Sequence, residues 1–289
     1  PPLGPIAPKS HDMAREHAVL SRIHEVYEPA PRSFLFCDDE EIIGAPFFVM
    51  ERRYGIVVRR RMPEAYAAAP DAARRLGEAL VDGLAGLHAV DYAALGLGDL
   101  GKPAGFIERQ VQGWSGRWEK AKHQEVPAMD TAHRWLADHV PPDATPALIH
   151  NDYKLDNTMF AADDPGRLVA VFDWDMATLG DPLSDLGTLL TYWIDDDDPA
   201  EVRAFSPMPH DAAGFPSRLD IVERYALTSG RDVSGIGFYH VLGLYRLAVI
   251  LAQIHIRWVR GQTSDERFAG LGELVKLVAA QAADLAHSS

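Results

Sequence analysis

Between His150 and Asp185 the chain concentrates oxygen-bearing side chains. The run His150-Asn151-Asp152-Tyr153-Lys154-Leu155-Asp156-Asn157 sets an Asp five residues ahead of an Asn, and Asp173-Trp174-Asp175 begins sixteen residues after Asn157. The segment between reads as a β-hairpin, with Thr158 to Ala161 as one strand, Asp163-Asp164-Pro165-Gly166 as the turn and Arg167 to Phe172 as the return. Asn157 precedes the first strand and Asp173 follows the second. In an antiparallel pair those positions share one end, so both should reach one metal ion, with Asp152 facing the same pocket from the loop before. Hard oxygen ligands with room left for phosphate and water suit Mg2+.

Phosphoryl transfer from a metal-bound nucleotide needs such a set. Asp152 would orient an acceptor hydroxyl and take its proton. Asn157 and Asp173 would hold Mg2+ against the nucleotide phosphates, with Asp175 as a further metal contact. Lys154 is placed to reach the transferred phosphate, and His150 to brace the loop by hydrogen bonds. Each residue alone is ordinary turn chemistry. The joint arrangement around a hairpin carries the reading.

The elements that must position these groups are legible on either side. Ser10 to Val26 reads as a helix that Ser10 can cap, ended by Pro29 and Pro31. Ser33 to Cys37 and Pro46 to Glu51 read as strands about an acidic turn, Asp38 to Glu41. Leu76, Leu80, Leu84 and Leu87 recur at helical steps in a helix from Asp71 through His88. Further helices are expected over Phe106 to Lys122, Met129 to His139, Pro182 to Trp193, Ser217 to Ser229, Gly235 to Val259 and Ser264 to Ala286. Asp195 to Asp198 reads as an exposed loop. Trp114 and Trp118 fall on one helix face and suit packing.

Composition narrows the function. The 289 residues are 47% hydrophobic and 24% charged, as in soluble globular proteins. A net charge of −14 argues against nucleic-acid binding and against docking on an anionic membrane. Arg246 lies inside the most apolar stretch, Phe238 to Ile256, which favours a buried core helix over a bilayer span. The single cysteine, Cys37, provides neither a disulfide framework nor a Cys zinc site and fits the cytoplasm. Gly96-Leu97-Gly98-Asp99-Leu100-Gly101 matches the dinucleotide fingerprint by letter, but it follows a helix and leads into Lys102-Pro103, so it reads as a loop. Arg59-Arg60-Arg61 reads as a solvated basic loop, or one that would meet an anionic substrate.

The catalytic segments, with Val171-Phe172-Asp173-Trp174-Asp175 and Gly180-Asp181-Pro182-Leu183-Ser184-Asp185-Leu186-Gly187, resemble the aminoglycoside phosphotransferase/choline kinase group. Leu84-Ala85-Gly86-Leu87-His88-Ala89-Val90-Asp91, Gly101-Lys102-Pro103 and Arg109-Gln110 with Trp114 and Trp118 resemble the branch found alone or fused to acyl-CoA dehydrogenases. The resemblance implies an α/β (α+β), two-lobed protein-kinase-like fold: a partial N-lobe and hinge over residues 1–54, and a mostly helical C-lobe over 55–289. It implies that Glu16 pairs with a strand lysine holding the nucleotide phosphates, and that Met50, Glu51, Arg52 and Arg53 form the hinge that takes the adenine. Asp185 would fix the catalytic loop. The phosphate-covering hairpin and that lysine are expected upstream of Pro1, leaving the N-lobe truncated as numbered. Lys154 stands where many antibiotic-modifying relatives carry His, so the acceptor class stays open.

These readings converge on transfer of the γ-phosphate of ATP, or of GTP, to a hydroxyl of a small molecule, with Mg2+ as cofactor. A hydroxyacyl-CoA is the first acceptor to consider and an aminoglycoside-like compound the second. The alternatives are a pseudokinase that binds nucleotide without turnover and a metal-binding structural protein using Asp173 and Asp175. Oligomeric state is not encoded in any motif.

Overall fold

The computed structural model describes residues 12–209 and 212–288. In chain order the elements are α1 (Met13–Ile23), β1 (Ser33–Cys37), α2 (Glu40–Ile43), β2 (Phe47–Met50), α3 (Ala72–His88), α4 (Phe106–Ala121), α5 (Pro127–Asp138), β3 (Ala147–Ile149), β4 (Thr158–Ala161), β5 (Asp164–Val171), β6 (Thr178–Gly180), α6 (Leu183–Tyr192), α7 (Ala200–Phe205), α8 (Arg218–Ser229), α9 (Ile236–Val259) and α10 (Leu271–Ser288). They group into two compact units of interleaved segments. One holds the described parts of Pro1–Gly101, Ala147–Leu179 and Ser206–Arg231; the other holds those of Lys102–Pro146, Gly180–Phe205 and Asp232–Ser289.

The first unit carries every residue expected to do chemistry. Helix α1 starts at Asp12, whose side chain accepts from the Arg15 amide at 3.0 Å. Ser10, the cap expected from sequence, lies outside the described residues. Val19, Leu20 and Ile23 are fully buried, and α1 packs on the antiparallel β1–β2 pair. Of the expected acidic turn at Asp38 to Glu41, the last two residues open the short helix α2 instead. Asp39 caps it by accepting from the Glu41 amide at 2.9 Å, and Gly44 closes it at φ +84°. Helix α3 buries Leu76, Leu80, Leu84 and Leu87 completely and packs on β5, β3 and α8. The Ser217 start expected for α8 is a full capping box with Asp220.

The hairpin differs from its sequence reading at one end. Strand β4 falls where expected, but β5 begins at Asp164, inside the tetrapeptide read as the turn. The register runs from Thr158 opposite Val171 to Ala161 opposite Asp164, with two irregularities between. The Asp164 carboxylate accepts from Arg75 at 2.6 Å and from the Gly166 amide at 2.8 Å, which holds these turn-type residues in the strand. Strands β3 and β6 pair with each other. All three residues of β3 are buried, so no polar–apolar alternation announced it.

The second unit is built around α9, which packs against α10, α6, α4 and α5. By length and composition α9 could cross a membrane. Here Val241, Tyr245, Ala248 and Val249 are fully buried among the other helices. Arg246 is buried with them; its Nη1 donates to the Thr188 hydroxyl at 3.3 Å and its guanidinium lies 5.2 Å from the Trp114 ring centroid. Trp114 and Trp118 are both buried, as packing residues should be.

Glycines set the α6–α9 approach. A Cβ at Gly187 would press on the backbone carbonyl of Tyr239, and one at Gly243 on Thr191 and the Gly187 carbonyl. Backbone cannot swing aside, so Gly187→Ala is expected to destabilise the protein by about 1–3 kcal/mol. Gly113→Ala in α4, where a Cβ meets nothing within 4 Å, is the control. It should gain slightly from helix propensity. Denaturant unfolding of the two variants beside the wild type measures both.

Candidate active site

The loop His150 to Asn157 is fastened from beneath. His150 is fully buried. Its Nδ1 accepts from the Asp152 amide at 3.3 Å, which leaves Nε2 to donate to the Phe172 carbonyl at 2.9 Å. One ring therefore ties the residue before Asp173 to the loop that bears Asp152. Asn151 takes a left-handed backbone at φ +70° and its amide donates to the Met176 carbonyl at 3.3 Å. Tyr153 is buried and its hydroxyl donates to the Leu80 carbonyl at 2.8 Å, while Leu155 is buried two residues on. The residues between them, Asp152, Lys154 and Asp156, retain partial exposure.

The structure brings the expected residues together. Asn157 Nδ2 donates to the Asp152 carbonyl and to its carboxylate Oδ2, each at 2.9 Å. The Phe172 amide donates to the Asn157 carbonyl at 2.8 Å, which continues the hairpin one pair past Thr158 and Val171. Asp173 follows directly, also left-handed at φ +69°. Lys154, expected to reach the transferred phosphate, contacts both Asp152 oxygens, at 2.6 and 2.5 Å. In this arrangement it fixes the carboxylate's orientation.

Asp173 shows what the site lacks in positive charge. Partial burial, then the Asp175 and Asp152 carboxylates, push its pKa above the usual carboxylate range, and Asp173 and Asp175 share a hydrogen bond. Among the described residues no three His, Cys, Asp or Glu side chains gather closely enough to hold a metal by themselves. The oxygen groups expected to act as donors are two crowded carboxylates, Asp173 and Asp175, and the Asn157 amide. Such a set suits a hard divalent cation that keeps sites open for phosphate and water oxygens.

Glu16 enters this group from α1. It is buried, and its Oε1 accepts from the Trp174 amide at 3.3 Å. Its pKa is raised to about 7, first by burial and then by Asp173 and Asp175, against the lowering effect of the Trp174 hydrogen bond. The neighbouring Arg15 was not anticipated. Its Nη1 donates to the carbonyls of Leu100 at 3.1 Å and Ala177 at 2.7 Å. Arg15 and Glu16 thus grip the Trp174 to Ala177 segment from one helix turn. Separations of 85 and 162 residues left no local signal for Arg15.

A raised carboxyl pKa has a defined consequence for stability. Below about 4.5 Glu16 is protonated both folded and unfolded; between about 4.5 and 7 only the folded chain keeps the proton. Stability contributed by this group therefore falls as pH rises through that window and levels off above it. Relative to Glu16→Gln, the wild type should lose up to about 3 kcal/mol from pH 4.5 to pH 7.5 without divalent cations. Urea unfolding of both proteins across that range checks the sign.

Of the expected hinge, Met50 ends β2. The Glu51 amide already donates to the Arg32 carbonyl at 2.8 Å, and its carboxylate pairs with Arg53 at 3.1 Å. The Arg52 guanidinium lies 4.9 Å from the Tyr54 ring centroid. The segment expected to be the hinge is thus well tied, with the Glu51 N–H committed to the Arg32 carbonyl.

Comparison with known proteins defines first a class. A candidate aminoglycoside phosphotransferase from Ralstonia eutropha JMP134 superposes with a TM-score of 0.83 at 30% identity, over 97% of this chain and 84% of its own. The GDP complex of aminoglycoside 2'-phosphotransferase-IIIa shares the kinase-like α/β fold at a TM-score of 0.62 and 16% identity, over 96% of this chain and 85% of its own. The profile of the phosphotransferase enzyme family matches residues 3–217, and the chain belongs to that family. Curated relatives include mouse acyl-CoA dehydrogenase family member 10, 30% identical over 99% of this chain, and rat acyl-CoA dehydrogenase family member 11, 33% identical over 92%. The chain spans only 26% and 34% of their lengths.

Proposed function

We propose that this chain transfers the γ-phosphate of ATP, with GTP as the alternative donor, to a hydroxyl of a small molecule in the cytoplasm. The observation that carries the reading is the convergence of Asp152, Asn157 and the Asp173–Asp175 pair at one end of the β4–β5 hairpin. Asp152 takes the hydroxyl proton as the acceptor oxygen bonds to the γ-phosphorus, and the bond to the nucleoside diphosphate breaks. Lys154 holds the Asp152 carboxylate in place. Asn157, Asp173 and Asp175 would hold Mg2+, which supplies charge neutralisation for the phosphates. Residues 1–54, through Glu16, Met50, Glu51 and Arg52, form the nucleotide side; residues 55–289 carry the catalytic loop.

The relatives are named for acyl-CoA, which is compatible with a hydroxyacyl-CoA acceptor, and the structural neighbours for aminoglycosides, which supports an aminoglycoside-like one as the alternative. The test uses γ-labelled ATP or GTP with a panel of both acceptor types. Label should move to an acceptor hydroxyl and remain there after the nucleotide is removed. Nucleotide binding without transfer to any acceptor would establish the nucleotide-binding module instead.

A further inference from the structure

Several arginines among the described residues are held by carboxylates. Arg53, Arg74, Arg75, Arg224 and Arg267 each lie within 3.1 Å of a carboxylate oxygen. The exposed run Arg59-Arg60-Arg61 does not follow that pattern. Arg59 approaches one carboxylate, Asp156, only to 3.9 Å. Arg60 and Arg61 form no ion pair or hydrogen bond with any of the described residues. In a chain with net charge −14, three adjacent exposed arginines, of which Arg59 alone approaches a carboxylate among the described residues, leave a local excess of positive charge.

The strip is also fixed in place. Ile56 and Phe160 exchange both backbone hydrogen bonds, at 2.8 and 2.9 Å, which joins the segment to the strand that follows Asn157. Gly55 makes the approach feasible, because a Cβ there would run into the Phe160 carbonyl. Val58 is fully buried just before the first arginine. Asp156, the carboxylate Arg59 faces, sits in the catalytic loop between Lys154 and Asn157. Its Oδ1 is buried without a hydrogen-bond partner.

We infer that Arg59, Arg60 and Arg61 bind an anionic group of the acceptor, a phosphate or a carboxylate, beside the loop that presents Asp152. The inference rests on the phosphotransferase reading of that loop and narrows its substrate class. Guanidinium forks suit both groups, and an exposed strip keeps them at hydrogen-bond reach without a desolvation cost in the free protein. A polycationic acceptor would meet repulsion here.

Isothermal titration with saturating MgADP tests this without turnover, so a protein that transfers no phosphate still gives a result. Coenzyme A and malate are the phosphate and carboxylate probes, and pantetheine is the phosphate-free control. The wild type should bind at least one of the two anions. In Arg60→Gln/Arg61→Gln that affinity should fall about tenfold or more, with pantetheine and MgADP binding unchanged. Loss of coenzyme A binding alone assigns a phosphate, and loss of malate binding alone a carboxylate. Binding of neither anion to the wild type overturns the inference, as does equal binding by the variant. An equal fall in MgADP affinity also overturns it, because the strip would then serve the nucleotide.

Discussion

Asp152→Asn is expected to slow phosphoryl transfer by about two to four orders of magnitude, the range for a positioned group that takes a proton in the transition state. The substitution is nearly isosteric. The Asn157 amide can still donate to a side-chain oxygen at position 152, and the backbone contact of the 152 amide with His150 is untouched. What disappears is the negative charge. Lys154, whose side chain is only 18% exposed, then lacks the carboxylate it now grips. A modest stability loss should accompany the activity loss, and the double variant Asp152→Asn/Lys154→Met should recover part of the stability but none of the rate. Steady-state transfer at saturating nucleotide and unfolding midpoints on the same preparations separate the two effects. Wild-type rates in Asp152→Asn would remove Asp152 from the reaction.

The second large effect has opposite signs in two measurements. Asp173→Asn should cut transfer by about a hundredfold or more and weaken the Mg2+ dependence of nucleotide binding, because a charged oxygen ligand is lost. The same change should leave the nucleotide-free protein as stable or more stable. Asp173 is disfavoured as a carboxylate by partial burial and by Asp175 and Asp152, and an amide relieves that crowding. Asn also tolerates the left-handed backbone at φ +69°. Asp173→Ala provides the contrast, since it relieves the charge but adds about 1–2 kcal/mol of backbone strain. Thermal unfolding with and without MgATP reads both outcomes. Undiminished MgATP stabilisation in Asp173→Asn would take the cation away from this residue.

Local features of this fold were open to sequence reading, and the site was largely built from them. Asn157 and Asp173 are separated by a hairpin whose first strand falls as expected, so their meeting follows from antiparallel geometry alone. The start of β5 was missed because Asp164, Pro165 and Gly166 are turn formers, and the Arg75 contact that overrides them comes from 89 residues away. The acidic segment read as a turn runs into α2 because Asp39 and Gly44 sit at cap positions on either side of that helix. Lys154 was aimed at phosphate because nothing in a linear motif shows a side chain folding back two residues onto Asp152. Arg15 and the β3–β6 pair depend wholly on tertiary contacts and had no periodicity to expose them.

The Glu16–Trp174 contact implies an order of assembly. A ribbon closing sixteen residues forms in microseconds, whereas the partner that seals it comes from 158 positions earlier in the chain and must close a far larger loop. The acidic end of the ribbon is therefore expected to form before its inner wall does. On that order the carboxylates of Asp173 and Asp175 would first be hydrated on all sides and become crowded only when the first helix docks. Amide exchange at Trp174 should accordingly report undocking of that helix, while amides of the ribbon itself remain protected until the whole unit opens.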